Sequence, residues 1–574
     1  MTHLSIRRYN TTVVHNLVNH GIPEPLARSL SARGIERYED IELELKGLIP
    51  PNAMMNCEDA GKILADAIQN NQRIAIVGDY DCDGATATAT ALIGLKLLGT
   101  ENTFYLIPDR EKDGYGLSPT LVQKAKAEGA DLLVTVDNGI SAHVAIKEAR
   151  KLGLSVLVTD HHLPADTLPE ANCIVNPNQI GDAFPSKNLA GVGVMFYVLL
   201  ATRAEMRKRG VFDTKNQPNL LVLIDLVALG TIADVVPLDK NNRILVSKGL
   251  ERIRSGKMHP GIAALLTVSR KNCYNLSTTD LGFSLAPRIN AAGRLADSQI
   301  GVECLKTFDP DIATRHATEL DTLNNQRRDK EQEGLDEALS QMGTIELNEE
   351  KSICLYRENW HPGIVGLIAS RIKDKSYRPT ICFASNQNEG NTEELKGSGR
   401  SIQGIHLRDL LDYIDKRNPG LILKFGGHAQ AAGLTIHKSN LEQFRYELEN
   451  AVTAFSSQST FIRSLETDGE LTAPDFNLHL VQCIRNCVWG VGFPEPIFIN
   501  RFKVLKQDLL KGEHLRLKLE TDGIQLSGIW FRRKEMLPEV ATLAYRLKLN
   551  EWNGRRRIDL QIEAMENEQE NWGA

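Results

Sequence analysis

The chain lacks several features that would set it apart from ordinary globular proteins. No apolar run approaches the roughly 18 residues that a membrane-spanning helix needs, so no membrane anchor is expected. The first residues, MTHLSIRRYNTT, contain no apolar stretch of the kind that export signals carry. The nine cysteines follow no spacing typical of a disulfide framework or a zinc site. Reduced thiols and a cytoplasmic location are therefore expected.

An excess of positive charge is also missing. The 67 lysines and arginines are outnumbered by 73 aspartates and glutamates, which gives a net charge of −6. This balance argues against a surface coated in positive charge, although it leaves room for a local basic groove. The composition, 42% hydrophobic and 24% charged, is typical of a globular protein. A chain of 574 residues is too long for one hydrophobic core and should form several domains.

The sequence pattern predicts how these domains follow one another. Apolar runs without alternation, such as RIAIVGD (73–79) and DLLVTVD (131–137), are separated by helical segments and indicate a doubly wound parallel α/β sheet. Short alternating strands near the C-terminus indicate a small β-barrel similar to an OB-fold. The predicted order is an N-terminal helical cap (1–54), a larger α/β domain (55–302), a long connecting helix (303–349), a smaller α/β domain (350–455) and the barrel (456–574).

Acidic residues and histidines follow several predicted apolar segments. Because ligands bind outside the carboxyl ends of the strands in an open parallel sheet, side chains just past those ends should converge. The residues concerned are Asp79, Asp81 and Asp83 in VGDYDCDG, Asp137 in VTVDNG, Asp160, His161 and His162 in VTDHH, and Asp225 in LIDLVALG.

The alternation in DYDCD strengthens this prediction. Residues two apart in an extended segment point the same way, so the three carboxylates would lie side by side and repel one another. Divalent cations are the usual means of keeping such carboxylates ionised together, and oxygen ligands with imidazole favour Mn²⁺ or Mg²⁺. A calcium loop is excluded because Thr90, not a glutamate, stands at its twelfth position. Two such ions would suit phosphoester hydrolysis.

Two further aspartates lie in or beside the apolar run NLLVLIDLVALGTIADVVPL. A buried carboxylate without a partner costs several kcal/mol, so Asp225 needs a metal, an arginine or a helix N-terminus beside it. Asp234 raises the same question, and a position at a helix end is the favoured interpretation for it.

The triplet Asp160-His161-His162 resembles the motif that names the DHH phosphoesterase superfamily. The segments LKGSGRSIQGIHLRDLL (395–411) and KFGGHAQAAGLTI (424–436) resemble the DHHA1 domain of that superfamily. Four more segments match in order: IPDREKDGYGLSP (107–119), LAGVGVMFY (189–197), APRINAAGRL (286–295) and WHPGIVGLIASRI (360–372). Together they resemble the bacterial branch that degrades single-stranded DNA from the 5′ end. One departure is Cys82, where the family has a small aliphatic residue; its thiol should face away from the metals, although its oxidation would threaten the site.

The resemblance implies roles for the clustered residues. Two Mn²⁺ or Mg²⁺ ions would be held by Asp79, Asp81, Asp83, Asp137, His161 and Asp225, with Asp137 bridging. His162 would contact the scissile phosphate, and Asp160 would orient its neighbours. Intact ligands argue against an inactive scaffold relative.

Other segments supply candidate contacts to DNA. Arg110, Arg288 and Arg294 lie in glycine-flanked segments, where arginine suits phosphate oxygens. The resemblance implies that Arg288, Ser398 and Arg400 recognise the 5′-terminal phosphates. Tyr115 is either a stacking platform for a base or a core tyrosine. The remaining candidates in the glycine-rich segments are Ser401, Gly426, Gly427 and His428.

The predicted function is a 5′→3′ exonuclease that acts in DNA recombination and repair and releases 5′-mononucleotides from single-stranded DNA. The alternative is a DHH-type oligoribonuclease or small-nucleotide phosphodiesterase, but such enzymes typically lack the long connector and the terminal barrel. A single-strand-binding protein and a helicase are candidate partners, and a monomer is expected.

Overall fold

The computed structural model describes residues 2–109, 114–343, 350–385, 393–552 and 555–566. The chain forms two compact units. The first unit comprises residues 10–324 and 483–495, and the second comprises residues 1–9, 325–482 and 496–574. The long connecting helix contributes residues to both units.

The strands in the described residues are numbered along the chain. They are β1 (Thr2–Ile6), β2 (Ile74–Val77), β3 (Thr103–Leu106), β4 (Leu132–Val136), β5 (Ser155–Thr159), β6 (Cys173–Val175), β7 (Ile353–Tyr356), β8 (Thr380–Ser385), β9 (Glu394–Arg400), β10 (Lys424–Gly427), β11 (Ala431–His437), β12 (Arg463–Thr467), β13 (Phe498–Leu510), β14 (His514–Thr521), β15 (Ile524–Trp530), β16 (Val540–Trp552) and β17 (Arg555–Met565).

The α-helices are numbered in the same way. They are α1 (Thr11–Asn19), α2 (Glu24–Ser31), α3 (Cys57–Gln69), α4 (Cys82–Leu97), α5 (Pro119–Ala127), α6 (His143–Lys151), α7 (Gly191–Lys208), α8 (Ile224–Ala233), α9 (Lys240–Arg254), α10 (Pro260–Val268), α11 (Thr278–Asp280), α12 (Ala286–Leu295), α13 (Gln299–Lys306), α14 (Pro310–Met342), α15 (Val365–Ser376), α16 (Leu407–Arg417), α17 (Leu441–Phe455) and α18 (Leu478–Asn486).

The first unit is built on a parallel five-stranded sheet with the order β3-β2-β4-β5-β6. Its central strands are buried along their whole length because helices cover both faces, as their unbroken apolar sequences predict. The strand order reverses between β2 and β4, so the connections leave these two strands in opposite directions. A crevice opens at such a switch point, at the carboxyl ends of the strands. The aspartates that follow β2 and β4 therefore meet there.

Helix α4 begins in the acidic loop, residues 78–83, and holds it against the core of the first unit. Small residues, ATATATA (85–91), let neighbouring helices approach it closely on every side. Its first turn is capped by the carboxylate of Asp81, which accepts a hydrogen bond from the backbone N–H of Gly84 at 3.0 Å. An ideal Cβ at Gly84 would lie 2.6 Å from the backbone oxygen of Asp79. The glycine therefore allows the loop to fold back on the helix.

The N-terminal segment differs from the predicted helical cap. Residues 2–6 form strand β1, which pairs in parallel with β12 in the second unit. Helices α1 and α2 follow only from Thr11 onwards. The sequence THLSI pairs with a partner about 460 residues away in the chain, and such a distant partner cannot be inferred from local periodicity.

The second unit contains a mixed sheet and a barrel. The sheet has the order β10-β11-β9-β8-β7, with only β7 and β8 parallel. The C-terminal strands form a closed barrel in the order β13-β14-β15-β17-β16, which confirms the predicted OB-like fold. No helix in the described part of the chain is long and apolar enough to cross a membrane.

Candidate active site

Seven acidic and imidazole side chains lie together at the switch point of the first unit. They form three overlapping groups, in each of which one ligand atom per residue lies within 4.8 Å of the others. The groups are Asp79, Asp81 and Asp137; Asp83, His161 and Asp234; and Asp137, His161 and His162. Asp137 and His161 each belong to two groups, so we treat the seven side chains as one site, here called the acidic cluster.

Asp137 is held in a conformation that few non-glycine residues adopt. It follows β4 with a φ of +63°, in the left-handed region. Its backbone N–H donates to the carbonyl of Thr159, and its own carbonyl accepts from the hydroxyl of Tyr115 at 2.9 Å. Strained backbone of this kind is retained at functional sites because the surroundings determine it. The side chain is thereby turned into the crevice.

Three buried atoms of the acidic cluster converge without satisfying one another. Nε2 of His161 lies 3.1 Å from Oδ1 of Asp137 and 3.4 Å from Oδ2 of Asp234. Within the described residues, none of these three atoms makes a hydrogen bond. The other side of the His161 ring hydrogen-bonds the backbone of Leu189, so Nε2 is the nitrogen that faces the carboxylates. A divalent cation is the partner that these atoms fit.

The protonation preferences of the cluster support the same conclusion. Burial, together with repulsion from Asp81, raises the pKa of Asp83 to about 7. Burial and the neighbouring carboxylates also raise the pKa of Asp137 and that of Asp234 well above their ordinary values. Burial lowers the pKa of His161 to about 4, which keeps this imidazole neutral and able to act as a ligand. Crowded carboxylates of this kind need cations to stay ionised.

Asp83 lies deeper than the other carboxylates. It is fully buried, and its two oxygens accept the backbone N–H groups of Gly191 at 2.6 Å and Val192 at 3.0 Å. These groups begin helix α7, where the helix dipole favours an anion. The predicted ligand Asp83 therefore anchors α7 beneath the cluster while remaining within reach of His161 and Asp234.

Asp160 organises the two histidines. Its Oδ1 accepts the backbone N–H of His161 at 2.7 Å and Nδ1–H of His162 at 2.8 Å, while Oδ2 accepts the backbone N–H of Ile140 at 2.9 Å. Burial opposes ionisation, but the contacts with His162 hold the pKa of Asp160 below its ordinary value. Burial likewise opposes a charge on His162, yet Asp160 raises the pKa of this imidazole.

Asp225, a predicted metal ligand, is not in the acidic cluster. It lies in the first turn of α8, fully buried, and accepts the backbone N–H of His259 at 2.6 Å and that of Leu226 at 3.0 Å. Nε of Arg252 lies 3.7 Å from its carboxylate. Asp225 therefore connects α8 to the start of α10. This position corrects the prediction that Asp225 is a metal ligand. Of the partners that the sequence left open, helix N-terminal N–H groups are hydrogen-bonded to Asp225, and an arginine lies beside it.

Asp234 occupies the position in the acidic cluster that was predicted for Asp225. It caps the C-terminus of α8, nine residues further on, and nine residues at 100° per residue turn a side chain to the opposite side of a helix. Its Oδ2 faces His161. A carboxylate at a helix C-terminus opposes the helix dipole, and this unfavourable placement was the sequence signal for a functional role.

Two further residues, not predicted, shape the acidic loop. The side-chain oxygen of Asn290 on α12 accepts the backbone N–H of Cys82 at 2.8 Å. Gly293, one turn later, packs against Tyr80 so closely that a side chain would collide with its carbonyl oxygen. The thiol of Cys82 is buried, and burial raises its pKa well above the ordinary value. An oxidation-sensitive thiolate is therefore not favoured at this position.

The residues of the first unit that were predicted to contact DNA differ in their exposure and in their partners. Tyr115 is not a core residue: it is half exposed, and its hydroxyl lies 3.1 Å from Nε2 of His162. Arg288 is buried on α12 and makes a two-pronged ion pair with Asp321, at 2.9 and 2.8 Å. A phosphate bound to Arg288 would have to share its guanidinium with the carboxylate of Asp321. Arg294 is half-buried near the end of α12, and Arg110 lies outside the described residues.

The remaining candidates lie on the mixed sheet of the second unit. Ser398 on β9 is in register with Gly433 on β11, which is in register with Gly426 on β10. An ideal Cβ at Gly426 would meet nothing within 4 Å, so this row of the sheet is open to a ligand. Gly427 makes the tight turn after β10 with a φ of +137°, and exposed His428 follows it.

Arg400 and Ser398 lie against the start of α15. The Arg400 guanidinium donates to the Ser398 hydroxyl at 3.1 Å, and an ideal Cβ at Gly366 would lie 2.8 Å from that hydroxyl and 2.9 Å from Arg400. A helix N-terminus beside an arginine is suited to an anion. Ser401 differs from the prediction, because its buried hydroxyl donates to the carbonyl of Ile405 and stabilises the turn after β9.

Comparison with known proteins agrees with this architecture. The family model of the DHH family N-terminal domain matches residues 73–231, that of the DHHA1 domain matches 349–454, and that of the RecJ OB domain matches 467–564. Fold and site together define a phosphoesterase of the DHH superfamily.

Individual relatives narrow the assignment further. The chain is 45% identical over 556 residues to the single-stranded-DNA-specific exonuclease RecJ of Salmonella typhimurium, covering 94% of this chain and 96% of the relative. Structures of RecJ from Thermus thermophilus in complex with Mn²⁺ and with Mg²⁺ match with TM-scores of 0.84 and 0.77 and identities of 28% and 27%. Each match covers 99% of this chain, and the two cover 80% and 79% of the respective solved chains. The chain belongs to the RecJ family.

Proposed function

We propose that this protein is a metal-dependent exonuclease that degrades single-stranded DNA from the 5′ end and releases 5′-mononucleotides. The observation that carries the proposal is the acidic cluster, in which buried atoms of Asp137, His161 and Asp234 face one another without hydrogen bonds. The RecJ relatives are named as exonucleases specific for single-stranded DNA, and RecJ from Thermus thermophilus has been solved in complex with Mn²⁺ and with Mg²⁺. A role in DNA recombination and repair, in the cytoplasm, fits this activity.

The residues present fit a pair of Mn²⁺ or Mg²⁺ ions. One ion would be held by Asp79, Asp81 and Asp137, and the other by Asp83, His161 and Asp234, with Asp137 close to both sets. When bound, such ions supply a hydroxide nucleophile at neutral pH and stabilise the charge on the phosphate oxygens.

The chain's own residues orient the phosphate. Asp160 holds Nδ1 of His162, so the Nε2 side of the ring faces the crevice beside the hydroxyl of Tyr115. Because the pKa of His162 is raised, this imidazole can carry a proton and donate a hydrogen bond to a phosphate oxygen. The half-exposed ring of Tyr115 offers an apolar face to a base next to that phosphate.

The test is an end-specific cleavage assay. We expect 5′-labelled single strands to lose their label as mononucleotides in Mn²⁺ or Mg²⁺, and activity to vanish in EDTA because the carboxylates need the ions. Duplex DNA and short RNA serve as parallel substrates. Cleavage that persists in EDTA, or that starts at the 3′ end, would contradict the proposal. Preference for short RNA would instead favour the oligoribonuclease alternative.

We further propose that Arg400, Ser398 and the N-terminus of α15 bind the 5′-terminal phosphate. Replacing Arg400 with alanine is expected to raise KM for 5′-phosphorylated strands about tenfold or more, since a charge-assisted hydrogen bond is lost. The same change should have little effect on strands with a 5′-hydroxyl. The control is Arg417→Ala, which removes an exposed arginine that stacks on Tyr413 in the same unit. Equal losses on both substrates would contradict the assignment.

The same proposal includes the domain boundaries predicted above from residue 55 onwards and a monomeric state. It also includes the binding of a single-strand-binding protein or a helicase to the barrel. Arg533 stacks on Trp530 at 4.7 Å in the barrel, which places a cation and an aromatic ring together as single-strand grooves require. Arg556 and Arg557 pair with Glu551 and Asp559, so their charges are partly compensated.

A further inference from the structure

A cavity lies in the first unit beside the start of helix α9. It has a volume of about 500 Å³, which is within the range of pockets that hold small molecules. Four basic side chains line it: Arg33, Arg37, Lys240 and Arg243. All seven side chains of the acidic cluster lie outside this lining. We call the cavity the arginine pocket.

Arg243 carries a buried charge that has no carboxylate partner. It lies one turn after the start of α9, and helical side chains lean towards the N-terminus, which turns its guanidinium towards the pocket. The residue is 6% exposed. In the part of the chain that the structure describes, its guanidinium donates one long hydrogen bond, 3.5 Å from Nη2 to the carbonyl of Asp40, and its Nε has no partner. The ring of Phe493 covers one face of the guanidinium, 4.2 Å away.

The carboxylates of the arginine pocket are engaged elsewhere. Asp40 pairs with Lys240 at 3.2 Å and with Arg37 at 3.6 Å. Asp239 caps the first turn of α9 by accepting a backbone N–H at 3.0 Å. Glu36 is exposed to water. The buried guanidinium has lost its hydration without gaining a counter-ion, so it needs an anion from outside the chain.

The rest of the lining indicates which kind of anion fits. Arginine binds phosphate oxygens with a planar fork, and the N-terminus of a helix such as α9 favours negative charge. The buried side chains of Ile35, Leu238 and Phe493 add an apolar wall. A free inorganic ion would leave that wall unused. A phosphate group joined to an apolar ring would use both the charged and the apolar parts of the pocket.

We propose that the arginine pocket binds a small phosphate monoester, with Arg243 as the residue that holds its phosphate. A 5′-mononucleotide is the member of this class that the chain itself would release, and the choice of this ligand rests on the proposed function. The phosphate supplies the counter-ion that Arg243 lacks, and the base packs against the apolar wall. The pocket is thus a nucleotide site distinct from the acidic cluster and from the proposed strand-end site at Arg400.

The test is a calorimetric titration of the full-length protein with 2′-deoxyadenosine 5′-monophosphate in EDTA. The Arg400→Ala variant is the starting protein, because Arg400 offers the nucleotide a competing phosphate site. Adding Arg243→Met should raise the Kd about tenfold or more, since a charge-assisted hydrogen bond is lost. Deoxyadenosine should not bind, and inorganic phosphate should bind more weakly than the nucleotide. Equal affinity for inorganic phosphate, or for acetate, would overturn the assignment to a phosphate monoester.

A second measurement separates binding from folding. Because Arg243 has no counter-ion in the free protein, methionine should leave the melting temperature unchanged or higher. The nucleotide should raise the melting temperature of the Arg400→Ala protein but not that of the double variant. Arg243→Lys keeps the charge and loses the fork, so its affinity for the nucleotide should be intermediate. A lower melting temperature with an unchanged Kd would show that Arg243 is structural only.

Arg203→Met is the matched control. Arg203 is a half-buried arginine on α7, outside the pocket, and its guanidinium donates to the carbonyl of Pro218 at 3.0 Å. Its loss should leave the Kd for the nucleotide unchanged. An unchanged Kd in Arg243→Met, or an equal rise in Arg203→Met, would overturn the inference. Wild-type protein that binds the nucleotide in EDTA but does not cleave single-stranded DNA in Mn²⁺ would refute the proposed function alone.

Discussion

Replacing Asp234 with asparagine is expected to reduce cleavage of single-stranded DNA by well over 100-fold. Removing a residue that only orients a metal ligand typically costs 10–100-fold, and a direct ligand should cost more. Asp234 presents a buried oxygen to Nε2 of His161 without any hydrogen bond, as a metal ligand would. Metal binding, measured by titration with Mn²⁺ and detected by electron paramagnetic resonance, should weaken in parallel. The fold should persist, because Asp234 lies at a helix end.

Asp225→Asn is the matched comparison, since both aspartates lie on α8 or at its end. Asp225 accepts two backbone N–H groups with its two oxygens, and an amide can accept only one of them. We expect the free energy of unfolding to fall by about 1–3 kcal/mol, with Mn²⁺ affinity and kcat nearly unchanged. If Asp225→Asn abolished metal binding and Asp234→Asn did not, the original assignment from the sequence would be right.

Replacing Gly191 with alanine is expected to lower kcat by about 100-fold or more. An ideal Cβ at this position would lie 2.6 Å from Oδ1 of Asp137 and 2.7 Å from its Cα. Backbone atoms cannot yield easily, so Asp137 or the start of α7 must shift, and displacements of about 1 Å at a reacting site can cost 100-fold. The N–H of Gly191 also binds Asp83, which couples the shift to a second carboxylate.

The control for this change is Gly193→Ala, two residues further along the same helix. At Gly193 an ideal Cβ would meet only the side chain of Leu189, at 3.2 Å. Alanine is the better helix former by about 1 kcal/mol at both positions, so helix propensity cannot explain a difference between the two variants. Cleavage rates and Mn²⁺ titrations of both proteins provide the measurement. Equal activity of Gly191→Ala and Gly193→Ala would show that the position of Asp137 is not critical.

The comparison of Asp225 with Asp234 shows where sequence reasoning failed. The run LLVLIDLVALG is apolar throughout, and periodicity cannot distinguish a buried helix from a buried strand in such a run. Treated as a strand end, Asp225 appeared to point into the site. As part of α8, it points away, and the residue nine positions later points in. Similarly, Ser401 was predicted to contact DNA, but its hydroxyl donates to the carbonyl of Ile405 in the turn after β9. The spacing of residues in the sequence does not reveal this hydrogen bond.

The sequence by itself determined the parallel sheet, the acidic loop after β2, the aspartate after β4, the paired histidines after β5 and the C-terminal barrel. These features follow from local rules, because strand burial, periodicity and turn chemistry operate over a few residues. Tertiary structure decided which carboxylate completes the acidic cluster, how Gly191 and Asn290 shape it, and that residues 2–6 pair with β12. Those outcomes depend on contacts between segments far apart in the chain, and such contacts form only when the helices pack at a particular rotation.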